Sequence, residues 1–143
     1  MHRVDRLSDA AAMGEALDLA RQALVSGDVP VGAVVLEADG RVVGRGYNAR
    51  EATGDPTAHA EVVALRAAGQ APANYRLPGS TLYVTLEPCP MCAGAIVHAR
   101  VARVVFAARD PRTGAAGSVF DLLPSDQRFN HRTECEGGVE AEA

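Results

Sequence analysis

The stretch from Thr57 to Cys92 constrains this chain more than any other. Its ends read Thr57-Ala-His59-Ala-Glu61 and Glu87-Pro-Cys89-Pro-Met-Cys92. One imidazole and two thiols are zinc-type ligands, and three protein ligands leave one tetrahedral position for water, as a catalytic zinc requires. Cys89 and Cys92 stand at the start of an expected helix, so their sulfurs share a face, and Pro90 suits a first helical position. Amide groups at a helix amino end, together with a metal, favour thiolate over thiol. Glu61 follows His59 by two residues; on a helix the two point to different sides, so Glu61 fits a proton shuttle better than a fourth ligand.

Each piece alone has a plainer reading. His59 would be a satisfied, partly buried histidine. Cys89 and Cys92 would be a redox pair or half of a structural zinc site, and Glu61 a solvated carboxylate favoured by the helix dipole. Together these readings weaken, because a redox pair has no need of His59 or Glu61. A closed zinc site would need a fourth ligand, and Cys135, His98 and His131 show no supporting spacing. Met91 fits core or pocket wall, and Cys135 a half-buried strand.

The chain has 143 residues, 48% hydrophobic and 22% charged, with a formal net charge of −4. This is the profile of one globular domain spanning residues 1–143, not of a disordered chain or a general nucleic-acid sponge. A local basic face stays compatible with it. No apolar run approaches the roughly 18 residues of a membrane span, and the amino end lacks the apolar segment of a secretory leader. Three cysteines cannot all pair within one chain, which points to a reducing, cytoplasmic setting.

Hydrophobic spacing predicts a helix over 8–26, capped by Ser8 and stopped by Gly27, with Met13, Leu17, Ala20 and Leu24 inward. A buried strand over 31–36, an Asp39-Gly40 turn and a returning strand over 41–47 follow. Gly44-Arg-Gly46-Tyr-Asn-Ala49 loosely matches a dinucleotide fingerprint, but a polar loop ending Gly54-Asp55-Pro56 follows it, not a helix. Thr57 is placed as cap of a helix to about residue 68, followed by a loop over 69–79 and a strand over 81–86. A helix over 89–99 and a strand over 103–108 come next. A loop over 109–117, a helical turn over 119–123 and a short strand over 133–135 complete the reading. Helices falling between strands favour a parallel section of sheet with helices on its faces.

The signature H-x-E…P-C-x-x-C is that of zinc-dependent base deaminases. Pro30-Val-Gly-Ala33, Gly46-Tyr-Asn48, Asp55-Pro-Thr-Ala-His-Ala-Glu61, Asn74-Tyr-Arg-Leu77, Thr81-Leu-Tyr-Val-Thr-Leu-Glu-Pro-Cys89, Met91-Cys-Ala-Gly94, Val104-Val-Phe106, Arg109-Asp110, Thr113-Gly-Ala-Ala-Gly-Ser118 and Asn130-His-Arg132 extend the likeness over residues 10 to 138. Across them the chain resembles bacterial tRNA-specific adenosine deaminases. The resemblance implies a cytidine deaminase-like α/β fold, a three-layer α/β/α sandwich with a five-stranded mixed sheet. It further implies one Zn²⁺ per chain, a homodimer, and hydrolytic conversion of the wobble adenosine to inosine in an arginine tRNA by zinc-activated water. His59, Cys89 and Cys92 would hold zinc and Glu61 would shuttle protons. Asn48 would contact the purine, Asp110 the sugar-phosphate of the anticodon stem-loop, and Arg109 and Arg112 its phosphates. The acidic Glu140-Ala-Glu-Ala143 departs from the basic, aromatic helix with which the family usually ends: either the sequence is a truncated piece or its RNA grip differs.

The zinc motif does not choose a base: adenine, cytosine and guanine all present an amine on a carbon beside a ring nitrogen. A guanine or cytosine deaminase of nucleobase salvage is the alternative, and Pro88-Cys-Pro-Met-Cys92 fits guanine deaminases too. A non-catalytic zinc-stabilised RNA-binding module is a third reading, against which an intact Glu61 counts.

Overall fold

A computed structural model describes residues 8–70, 76–123 and 133–138. In chain order the elements are α1 (Asp9–Val25), β1 (Gly32–Leu36), β2 (Val42–Tyr47), α2 (Arg50–Thr53), α3 (Ala60–Gln70), β3 (Thr81–Leu86), α4 (Pro90–His98), β4 (Arg103–Ala108) and β5 (Glu134–Gly137). The strands form one sheet in the order β2-β1-β3-β4-β5. β1 runs antiparallel to β2 and β3, while β3–β4 and β4–β5 are parallel. The sheet is therefore mixed and five-stranded, with its parallel half where β3-α4-β4 was expected to place it.

Side-chain alternation divides the interior into two layers. Val34, Leu36, Tyr83, Val105 and Ala107 pack with Ala12, Met13 and Ala16 of α1. Ala33, Val35, Leu82, Val84, Val104 and Phe106 face the other way, onto Ala60, Ala64, Ala93 and Ile96 of α3 and α4. Because strand side chains alternate, β1, β3 and β4 each supply both layers. Close helix approach depends on missing side chains. A Cβ at Gly46 would lie 2.6 Å from the Ala60 carbonyl, and one at Gly44 would collide with that of Ala64. The glycines of the rejected dinucleotide match thus seat α3 on β2.

Several local expectations change. Ser8 caps α1, accepting from Ala11 N at 3.1 Å, but Leu24 is 58% exposed because the buried stripe runs through Ala12, Met13, Ala16, Ala20 and Ala23. The polar loop after β2 contains the short α2, ended by Gly54 at φ 66°. Thr57 does not cap α3. Its amide and hydroxyl both go to Asp55 Oδ1, and the Ala60 amide is capped instead by Asn48 Oδ1 at 2.8 Å. No helical turn forms over 119–123: Val119 and Phe120 donate to the Gly114 carbonyl and Leu122 and Leu123 to that of Ala115, closing a wide loop with an Ala116–Asp121 bridge. The last strand begins at Glu134, one residue later than expected, and exposes Glu134 and Glu136. Asn74, His131, the 130–132 motif, His2 and the acidic tail lie outside the described residues. Among the described residues no helix is long and apolar enough to cross a membrane.

Candidate active site

Two helix amino ends meet beyond the carboxyl end of β3. α3 brings His59 just before its first residue, and α4 brings Cys89 as its N-cap and Cys92 in its first turn. His59 Nδ1 lies 3.7 Å from Cys89 Sγ and 3.5 Å from Cys92 Sγ. Zinc bonds of about 2.3 Å to sulfur and 2.0–2.1 Å to nitrogen in a tetrahedron require a sulfur–nitrogen edge of about 3.6 Å. The three ligand atoms already stand at that spacing, so the residues fit the ion. Hydrogen bonding from Cys92, aided by His59 and opposed by burial, draws the Cys89 thiol down to about 4. Cys92, sharing its proton with Cys89, moves the other way.

His59 and Cys89 open into a cavity of about 160 Å³ whose wall also includes Asn48, Arg50, Glu61, Glu87, Asp110 and Thr113, with Cys92 buried behind it. A larger one of about 400 Å³ lies at the other end of β3, between Glu37 and Ser80, and its lining has no histidine or cysteine. Glu61 is buried on the cavity wall, and burial raises its carboxyl to about 7, with the Cys89 charge adding to the effect of burial. Asn48 is buried with its side-chain oxygen committed to Ala60, so its amide nitrogen is the arm left to offer hydrogens.

Asp110 faces the cavity, but its carboxylate accepts from the amides of Arg112 and Thr113 at 2.9 and 3.3 Å and from the Thr113 hydroxyl at 3.0 Å. Those bonds, the Arg112 amide first, hold its carboxyl below the usual range against partial burial. As an acceptor it matches a ribose hydroxyl and repels a phosphate. Arg109 and Arg112 are exposed on the same loop and do not line the cavity; the Arg109 guanidinium stacks over Phe106 at 5.2 Å.

Three residues were not singled out from sequence. Arg50 is the cation of the cavity wall, and Asp28 Oδ1 holds it, 2.7 Å from Nη2 and 3.2 Å from Nε. Glu87 is 2% exposed, yet its carboxylate receives the amides of Asp110, Ala116 and Ser118. Its place in the Glu-Pro-Cys run was the available signal. Thr113, which only its position in the 109–118 loop could have suggested, joins Asp110 on the wall.

Comparison with known proteins decides the family. The model for the cytidine and deoxycytidylate deaminase zinc-binding region matches residues 7–108. A tRNA-specific adenosine deaminase of Haemophilus influenzae is 51% identical over 91% of this chain and 75% of its own. The chain belongs to the tRNA-specific adenosine deaminases of that family. A solved tRNA:A34 deaminase, described as editing A to I at the wobble position, superposes on this deaminase with a TM-score of 0.87 at 42% identity, over 92% of this chain and 94% of the other. A guanine deaminase of Bacillus subtilis shares the fold at a TM-score of 0.70 and 39% identity, over 80% of this chain and 72% of its own. The family is one of zinc-dependent hydrolytic enzymes, and the His59, Cys89 and Cys92 cluster is positioned to hold the ion.

Proposed function

We propose that this chain acts as a single deaminase domain, a cytoplasmic homodimer, and hydrolyses the wobble adenosine of an arginine tRNA anticodon stem-loop to inosine and ammonia. The observation that carries the reading is an intact His59–Cys89–Cys92 cluster beside a cavity lined by Glu61, in a chain half identical to a tRNA-specific adenosine deaminase over most of both lengths. When bound, zinc supplies Lewis acidity that brings a water's pKa towards about 7. Glu61 takes the proton of the attacking water, passes one to the purine ring nitrogen, and helps ammonia leave. Its buried carboxyl, on the wall beside the ligand atoms, suits it to both halves of that task. Asn48 orients the purine through its amide hydrogens, and Asp110 receives a ribose hydroxyl. Arg109 and Arg112, exposed outside the cavity, meet the phosphates of the flanking nucleotides.

The likeness to a guanine deaminase favours a second reading, deamination of a free base. The test is release of ammonia and inosine from an arginine-tRNA anticodon stem-loop, beside free guanine, cytosine and cytidine, with Glu61→Ala as blank. Inosine in the stem-loop alone supports the RNA reading; turnover of guanine with silence on RNA replaces it. RNA binding that survives Glu61→Ala with no turnover by the parent protein would leave a non-catalytic module.

A further inference from the structure

Glu87 is a buried acid that the deamination chemistry leaves without a task. Its two carboxylate oxygens divide four donors between them. Oε1 accepts the Asp110 amide at 3.1 Å and the Ser118 hydroxyl; Oε2 accepts the amides of Ala116 at 2.9 Å and Ser118 at 3.1 Å. The neighbouring backbone adds to the hold. The Glu87 amide donates to the Ala108 carbonyl at 2.8 Å, and the Pro88 carbonyl accepts from Ala115 at 2.7 Å. Gly114 lies so close that a Cβ there would collide with the Glu87 carboxyl. Two residues between β3 and Cys89 thus hold the 109–118 loop from its start to its end, and Asp110 and Thr113 of that loop wall the cavity.

We infer that Glu87 is a positioning residue, which sets the substrate-facing loop at a fixed height over the ligand atoms of Cys89 and Cys92. Glu87 reaches the cavity wall too, but with both oxygens committed to the loop it acts through Asp110 and Thr113. This rests on the deaminase reading of the cavity. A carboxylate suits the place because it offers two acceptor oxygens and no donor. Glutamine keeps the shape but has one oxygen; in either orientation its NH₂ faces at least one backbone amide, and two donors cannot bond each other.

The test compares Glu87→Gln and Gly114→Ala with the parent enzyme by zinc content, thermal unfolding and steady-state kinetics on the anticodon stem-loop. Expected are full zinc occupancy, a small loss of melting temperature, and a KM raised on the order of tenfold with kcat changed far less, the scale of supporting-group mutations. Glu87→Asp, which keeps the charge but falls short of the loop, should not rescue KM. Unchanged KM in both variants overturns the inference. So does loss of zinc or of the fold in both, which would make Glu87 a support of the metal loop alone. If the parent is silent on RNA but deaminates a free base, the RNA reading fails while this one stands to be judged: the same KM rise is then expected for that base, and its absence is the refutation.

Discussion

Asn48, at the end of β2, caps the helix that delivers His59: its Oδ1 accepts the Ala60 amide at 2.8 Å. One buried side chain therefore both fixes a ligand-bearing helix and faces the cavity. The two tasks separate by atom, the oxygen serving α3 and the nitrogen serving the substrate.

Asn48→Asp keeps the acceptor and removes the donors, so it should retain most of the stability while turnover falls at least tenfold. Asn48→Ala should lose turnover and about 1 kcal/mol of stability with the cap. Urea unfolding beside single-turnover assays distinguishes the two; equal destabilisation by both variants would refute the division.

The buried Asp28 carboxylate gives the cavity mouth an acid limit. Burial would raise its pKa, but hydrogen bonds from Arg50 and from the amides of Glu51 and Val29 outweigh it and hold the group at about 2. A carboxyl whose folded pKa lies below its unfolded value of about 3.9 contributes stability above that value and loses it as pH falls towards 2. Stability should thus decline between about pH 4 and 2, and Asp28→Asn should flatten that part of the profile while costing roughly 1–3 kcal/mol at pH 7. Denaturant midpoints from pH 2 to 7 would show it.

Metal content should follow three side chains and not the fourth candidate. His59→Ala, Cys89→Ala and Cys92→Ala should each abolish the bound zinc, whereas Cys135→Ala, on β5, should retain one zinc per chain. Elemental analysis of dialysed protein reads this directly, and chelation of the parent should remove activity that added zinc restores.

Gly46→Ala should damage the site from the far side of α3. The added methyl would stand 2.6 Å from the Ala60 carbonyl and 2.7 Å from the Ala64 amide, so the helix must lift. A loss of about 1–3 kcal/mol is expected from overpacking, with weaker zinc retention because His59 immediately precedes Ala60. A chelator competition titration measures the second effect.

The ligand cluster was legible because its chemistry is written in residue types: a histidine and two cysteines at helix-start spacing have few other uses. β3 and β4 fall on their expected residues because their runs of Val, Tyr and Phe are bounded by turns. What escaped was made by partners distant in sequence. Asp28 finds Arg50, and Glu87 finds Asp110, Ala116 and Ser118, only after the strands are ordered. The helical turn expected over 119–123 failed for a more local reason. Amides that would close it bond Gly114 and Ala115, within a loop already gathered by Glu87.

The exposed Glu134 and Glu136 give the last described strand a further consequence. An unpaired strand edge is a template on which another chain can add and propagate into fibrils. On β5 a second copy laid in parallel register would bring like carboxylates side by side, a repulsive arrangement. Among the described residues no further strand lies beside β5, and Glu134, with Glu136 held by Arg103, puts charge on that edge, where charge opposes strand addition.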